Sequence, residues 1–117
     1  MHDPEFIYKI ATRDVVEAAR LGGTFTGMPI DTADGYLHFS TAGQLPETLR
    51  LYFAGQRDVV VLALRAGDMG TALIWEPSRG GQLFPHVYGT FPISAVVHEA
   101  AIDVAADGSS ALPGWIT

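Results

Sequence analysis

The sequence of 117 residues contains no cysteine, and its seven lysines and arginines are outnumbered by thirteen acidic residues. The absence of cysteine excludes disulfide bonds, thiolate nucleophiles and cysteine-ligated metal clusters. A nucleic-acid surface needs a basic face to neutralise phosphates, and a net charge of −6 leaves none of any breadth. We therefore expect no extended nucleic-acid surface, whereas a small pocket for a single nucleotide is compatible with this composition.

Long apolar runs are missing as well. The longest, VVVLAL at 59–64, is far shorter than the roughly 20 residues that a membrane helix needs. The acidic start, MHDPE, lacks the basic and apolar regions of a signal peptide. These features predict a cytoplasmic protein with no membrane contact. The composition is otherwise globular, with 48% hydrophobic residues, and the length predicts a single domain over residues 1–117.

The periodicity of apolar residues predicts two helices early in the chain and mostly strands later. One helix is expected from Thr12 to the glycine pair at 22–23, and the other from Pro46 to Gly55. The stretch 24–34 between them is expected to be a loop. Strands are expected at 6–10, 36–40, 58–65, 71–76, 84–88 and 93–104. This order predicts an α+β fold with a mainly antiparallel sheet, in which the apolar strand 58–65 is central.

The segment DGYLHFST at 34–41 is the first candidate site. In a strand, His38 and Ser40 share one face while the apolar side chains between them point to the other face. The strand then leads into a loop, where a ligand could reach both polar side chains. The alternative is structural: Ser40 or Thr41 caps the following helix, and His38 is a hydrogen-bonded histidine of the fold.

A second candidate is FPHVYG at 84–89, where His86 and Tyr88 share a face between a proline and a glycine. The alternative is a bulge stabilised by aromatic packing. Glu76 ends the preceding strand, where its carboxylate could orient a histidine, bind a ribose hydroxyl or act as a base. Glu76 could equally be solvated or pair with Arg79.

Other acidic and histidine positions are weaker candidates. Asp31 and Asp34 lie in the predicted loop, and turn chemistry alone accounts for Asp34. His98 lies on an apolar strand face, where a lone histidine is expected to be buried and hydrogen-bonded. Trp115, near the end of the chain, is expected to pack back on the body of the protein. The sequence contains no phosphate-binding P-loop and no nucleophile elbow.

These segments together resemble a small bacterial family, number nine-five-two among the domains of unknown function. The resemblance covers almost the whole chain in the same order. It is carried by IYKI at 7–10, DGYLHFST at 34–41, QL at 44–45, YFAG at 52–55, WE at 75–76 and FPHVYG at 84–89.

The resemblance implies a distant relation to the ADP-ribosyltransferases and RNA 2′-phosphotransferases. Their fold is a split or strongly curved antiparallel sheet with a cleft for NAD or an ADP-ribosylated substrate. His38 and Ser40 resemble a His-x-Ser pattern of that group. Lys9, in contrast, stands where those proteins usually have a histidine, and Glu76 is the candidate for their late catalytic glutamate.

Three functional hypotheses follow. The first is a nucleotide-pocket enzyme with catalytic His38, His86 and Glu76; its ligand-binding residues would be Lys9, Ser40, Thr41, Arg79 and Tyr88. The second is a metal site of two histidines and one carboxylate, formed by His38, His86 and Glu76. The third is a non-enzymatic module that binds a metabolite or peptide. Neither a cofactor nor an oligomeric state is predicted, and all three hypotheses need the two histidines to meet in space.

Overall fold

The computed structural model describes residues 4–116, and these contain three α-helices and eight strands. The helices are α1 (Arg13–Gly22), α2 (Pro29–Asp34) and α3 (Leu45–Phe53). The strands are β1 (Phe6–Thr12), β2 (Thr24–Phe25), β3 (Leu37–His38), β4 (Val59–Arg65), β5 (Leu73–Pro77), β6 (Leu83–Val87), β7 (Phe91–Pro92) and β8 (Val96–Ile102). Short 3-10 turns connect several of them, and the predicted α+β class is confirmed.

The strands form antiparallel sheets in the orders β1-β4-β8, β2-β7 and β3-β6-β5. As predicted, β4 is a central strand, and its residues from Val59 to Leu64 are buried. A backbone bridge between Tyr8 and Ser40 joins β1 to the chain just after β3. This bridge brings the predicted polar segment at 34–41 against the first strand.

The side chains of β1 and β4 alternate between two apolar clusters, one on each face of the first sheet. On one face Tyr8 and Ile10 pack with Leu45 and Leu49 of α3. On the other face Ile7 belongs to a cluster that α1 and the two smaller sheets also supply. The sheet is therefore covered on both sides, which is why β4 carries no alternation of apolar and polar residues.

The predicted loop at 24–34 is wrong, because it contains β2 and α2. Proline at the first helical position favours the start of α2, and its end is set by Gly35, whose φ of 85° few other residues adopt readily. A six-residue helix gives too short an apolar period to be recognised in a sequence. The expectation of only two early helices is corrected accordingly.

The strand predicted at 93–104 is shorter, because a 3-10 turn precedes β8. His98 is exposed rather than buried, because β8 is an edge strand whose pairing with β4 is irregular next to that position. Its ring stacks on Trp115 with 5.0 Å between centroids. The prediction that Trp115 packs back on the body is confirmed. Within residues 4–116 no helix has both the length and the apolar character to cross a bilayer.

The core placement of β4 predicts a large difference between two leucines. Leu62 is 0% exposed, whereas Leu21 is 92% exposed. We expect Leu62→Ala to lower the free energy of unfolding by about 2–5 kcal/mol, through lost burial and an unfilled cavity. Leu21→Ala should stay within about 0.5 kcal/mol of the wild type. Urea denaturation measures both, and equal losses would contradict this assignment of the core.

Candidate functional site

The pairing of β3 with β6 places His38 and His86 directly opposite each other. Directly opposed residues of an antiparallel pair project to the same face of the sheet. The two imidazole rings lie 5.5 Å apart between centroids and are steeply inclined to each other, at 68°. Two residues that are 48 positions apart in the sequence therefore form one cluster.

Both histidines line a pocket of about 330 Å³. Lys9, Ser40 and Arg79, which the sequence analysis also selected, line it as well. The remaining lining residues are Ile10, Met28, Ile30, Asp34, Tyr36, Phe39, Thr48, Tyr52, Phe53, Ser78 and Phe84. The pocket thus combines an apolar wall with a few polar groups, which is the usual character of a small-molecule site.

Glu76 forms a hydrogen bond with the ring of His86 and does not itself line the pocket. The Nδ1 atom of His86 lies 2.8 Å from Glu76 Oε1, and the Tyr88 hydroxyl donates to the same oxygen, also at 2.8 Å. These two hydrogen bonds lower the pKa of Glu76, that of His86 being the larger cause. The hydrogen bond to Glu76 in turn raises the pKa of Tyr88. Glu76 and Tyr88 act here on His86 rather than on the pocket directly, since neither of them lines it.

Tyr36, which the sequence analysis did not select, covers the histidine cluster. Its ring stacks on His86 at 4.2 Å between centroids and lies 4.6 Å from His38 and 5.1 Å from Tyr88. Its position two residues before His38 in a strand-like segment was the only available signal, because that spacing predicts a shared face. The ring restricts how far either histidine can rotate.

Asp31 holds His38 in the way that Glu76 holds His86, and it has several hydrogen-bond partners. One of its oxygens accepts from the backbone N–H of His38 at 2.9 Å and lies 2.7 Å from His38 Nδ1. The other accepts from the backbone N–H of Met28 at 2.6 Å. Lys9 Nζ lies 2.9 Å from this second oxygen and also donates to the backbone carbonyl of His38 at 2.9 Å. Asp31 therefore fixes the backbone and the ring of His38 at once.

Burial acts on both members of the Lys9–Asp31 pair, which are 3% and 2% exposed. Burial by itself raises the pKa of Asp31. The hydrogen bond from His38 and the charge and hydrogen bond of Lys9 outweigh burial and lower that pKa to about 2. Burial lowers the pKa of Lys9, and Asp31 opposes that effect. The pair is stable as an ion pair because each charge is compensated inside the protein.

The second ring nitrogen of His38, Nε2, lies 2.9 Å from Asp34 Oδ2. Asp34 is the last residue of α2, and its side chain is 43% exposed. From the sequence alone, turn chemistry accounts for Asp34, and Asp31 is only a weak candidate. Both aspartates instead contact His38. They are three residues apart in α2, and this spacing places two side chains on the same side of a helix.

Arg79 also lines the pocket, beside Phe84 of β6. Its guanidinium lies over the Phe84 ring, 4.9 Å from the centroid, and donates to the Thr48 hydroxyl at 3.2 Å. Ser40 lies 3.5 Å from the same hydroxyl. These contacts place a positive charge and two hydroxyl groups at the wall of the same pocket that the histidines line.

Thr41 does not line the pocket. Its hydroxyl accepts from the backbone N–H of Gln44, and the Gln44 side chain accepts from the backbone N–H of Thr41. This reciprocal pair caps the short 3-10 helix before α3. The geometry of Thr41 therefore agrees with a structural role as a helix cap.

The metal hypothesis is not supported by the geometry. Within residues 4–116 no group of three or more histidine and acidic side chains is arranged to hold a metal ion. The physical reason is that Glu76 is bonded to His86 Nδ1, and both nitrogens of His38 face carboxylates of α2. These side chains bond one another instead of converging on a common point.

A family model described as protein of unknown function (DUF952) matches residues 10–99. The chain belongs to this family. Among solved structures, the chain is similar to the crystal structure of protein CC0527 from Caulobacter crescentus, with 44% identity and a TM-score of 0.86 over 92% of this chain and 94% of that one. Its solution NMR structure gives 43% identity, a TM-score of 0.80 and 91% coverage of both chains. No curated protein matches the sequence significantly.

The buried ion pair predicts a large and pH-dependent effect of Asp31→Asn. Removing this carboxylate leaves the Lys9 charge buried without compensation, which should cost about 3–5 kcal/mol of stability at neutral pH. Because the pKa of Asp31 is lowered, its contribution is complete above about 3.8 and is lost as the pH falls towards 2. The difference between the two proteins should therefore shrink over that range.

Asp34→Asn is the matched control, since it changes the partly exposed aspartate of the same helix and should cost no more than about 1 kcal/mol. Urea denaturation between pH 2 and pH 7 measures all three proteins. A difference between wild type and Asp31→Asn that is small at pH 7, or that grows as the pH falls, would show that the pair is not what stabilises this region.

Proposed function

We propose that this pocket binds a nucleotide-type ligand, of the NAD or ADP-ribose kind, and supports transfer chemistry at its ribose or phosphate. The observation that carries the proposal is that His38 and His86 lie side by side at the wall of one pocket that Arg79 also lines. Imidazoles exchange protons near neutral pH, and a guanidinium is suited to bind phosphate. His38 and Ser40 also resemble a His-x-Ser pattern of ADP-ribosyltransferases and 2′-phosphotransferases, and this resemblance favours the same ligand class.

The pocket offers separate places for the parts of such a ligand. Arg79 is positioned for a phosphate, and the hydroxyls of Ser40 and Thr48 beside it could bond phosphate or ribose oxygens. Ile30 and Tyr52, which line the pocket, remain 57% and 60% exposed. They offer an apolar lip on which a flat base can lie. A pocket of about 330 Å³ is at the small end for ligand sites, so part of a dinucleotide would extend past this lip.

His38 and His86 supply the chemistry in this proposal. Each lies at the pocket wall, and each is oriented by a carboxylate that bonds its Nδ1 atom. A carboxylate in this position fixes the orientation of an imidazole that exchanges protons through its other nitrogen. Lys9 contributes through Asp31, because it is itself buried and engaged in the ion pair.

Ligand binding is expected to raise the melting temperature. A ligand at ten times its Kd adds about 1.4 kcal/mol, which for a chain of this length is a shift of about 4–7 °C. Differential scanning fluorimetry with millimolar NAD, ADP-ribose, ADP and AMP measures the shift. The shift should disappear in His38→Ala and persist in the surface variant His98→Ala. If no nucleotide of the panel shifts the wild type, the proposal is wrong.

Arg79 gives a sharper test of how the phosphate binds. We expect Arg79→Met to weaken ADP-ribose binding by about 10- to 100-fold, because a charge-assisted hydrogen bond contributes about 1.5–3 kcal/mol. Adenosine, which has no phosphate, should bind equally well to both proteins. Arg57→Met is the matched control, since Arg57 is exposed and does not line the pocket. Isothermal titration calorimetry measures these affinities, and an equal loss for adenosine would place the phosphate elsewhere.

A test for turnover of NAD or ADP-ribose distinguishes an enzyme from a module that only binds its ligand. Chromatography of NAD and ADP-ribose after incubation with the protein would reveal hydrolysis or transfer. Binding without any turnover would support the binding module instead of the enzyme.

A further inference from the structure

His38 and His86 each have a carboxylate as the hydrogen-bond partner of Nδ1, but their Nε2 atoms have different surroundings. A carboxylate only accepts hydrogen bonds, so the Nδ1 atoms facing Asp31 and Glu76 both carry their protons. In His86 the other nitrogen, Nε2, has no hydrogen-bond partner among residues 4–116. His86 is 3% exposed and lines the pocket, so Nε2 is the ring nitrogen that is left to accept a proton there.

His38 has a carboxylate at each nitrogen. Asp31 Oδ1 faces Nδ1 at 2.7 Å, and Asp34 Oδ2 faces Nε2 at 2.9 Å. A neutral ring would direct its lone pair at one of these oxygens, which is repulsive. Only a ring that carries both protons donates to both carboxylates. The structure thus presents His38 as a hydrogen-bond donor at both positions.

We propose that His86 is the proton acceptor and His38 the proton donor of one acid–base pair, with Glu76 and Asp31 as their positioning residues. This inference rests on the proposed function for its substrate, a nucleotide whose transferred group lies in the pocket beside the two rings. The rings are 5.5 Å apart, which is close enough for both to reach groups on one bound molecule. Asp34, being partly exposed, is the contact that the ligand replaces at His38 Nε2.

The step that this pair supports is a displacement in which atoms and charges balance. A hydroxyl of water or of an acceptor loses its proton to His86 Nε2 while its oxygen forms a bond to the transferred ribosyl carbon or phosphorus. The bond from that atom to the leaving group breaks, and the leaving group takes the proton from His38 Nε2. One proton is taken up and one is released, so proton exchange with solvent restores both rings.

The two positioning residues are fixed in different ways. Lys9 and the backbone N–H groups of Met28 and His38 surround Asp31, so that its carboxylate cannot turn away from the ring. Glu76 is held by the Tyr88 hydroxyl. Removing either carboxylate should therefore change the protons on its histidine, an effect that a purely structural residue would not produce.

Nuclear magnetic resonance of protein labelled with ¹⁵N-histidine tests the assignment without a ligand. Ring nitrogens with and without a proton give different signals, which His38→Gln, His86→Gln and His98→Gln assign. The hydrogen-bond geometry predicts a proton on Nδ1 but not on Nε2 of His86, and a proton on each ring nitrogen of His38. A proton on His86 Nε2, or a neutral His38, would overturn the proposal.

Variants of exposed or partly exposed carboxylates extend the test without disturbing the buried pair. In Asp34→Ala, His38 should lose its Nε2 proton and keep the proton on Nδ1. In Glu76→Gln, the amide can donate as well as accept, so the single tautomer of His86 should become a mixture. Glu47→Gln, a surface change in α3, should alter neither ring. Unchanged ring signals in both site variants would exclude the positioning roles.

These outcomes are independent of the ligand experiments. The expected ring signals together with a nucleotide panel that does not bind would keep the acid–base pair and reject the nucleotide as its substrate. Nucleotide binding together with other ring signals would keep the proposed function and reject the division of roles.

Discussion

The ion pair between Lys9 and Asp31 is the interaction on which both the fold and the site depend. It is buried between β1 and α2, and Asp31 also accepts hydrogen bonds from the backbone on both sides of that helix. The same carboxylate faces the ring of His38. The pair therefore joins the first sheet to the strand that carries a candidate catalytic histidine.

A small protein gains little stability by burying two charges, because desolvation offsets most of their attraction. Apolar residues of similar size would fill the same space at no greater cost. Lys9 and Asp31 are explained better by what they do for His38, since an apolar pair would leave its Nδ1 and backbone N–H without acceptors. The buried charge pair is therefore best explained by its effect on His38, whose ring it holds in one orientation.

The sequence was sufficient to predict the helices and strands whose apolar residues repeat regularly or whose ends are marked by glycine or proline. The alternation of β1, the central position of β4, the two longer helices and the facing of His38 and Ser40 all follow from side-chain periodicity. Of the roles that the sequence leaves open for Glu76, the one in which it orients a histidine agrees with its hydrogen bond to His86 Nδ1 at 2.8 Å.

What the sequence did not reveal depends on short elements and long-range pairing. The helix α2 has six residues, too few for an apolar pattern, and without it Asp31 and Asp34 are only loop residues. Lys9 was interpreted as a ligand-binding cation, although its partner lies 22 positions away. The register that opposes His38 to His86 is set by packing across the sheet, which no local pattern encodes.

Whether His38 and His86 share one ligand is tested most directly by titrating ¹⁵N-histidine-labelled protein with ADP-ribose and following the ring signals. A common pocket predicts that both histidines shift together with a single Kd, while His98 on the edge strand β8 keeps its signal. If saturating ADP-ribose leaves the signals of both rings unchanged, or shifts the His98 signal as much as theirs, a ligand site lined by both histidines is contradicted.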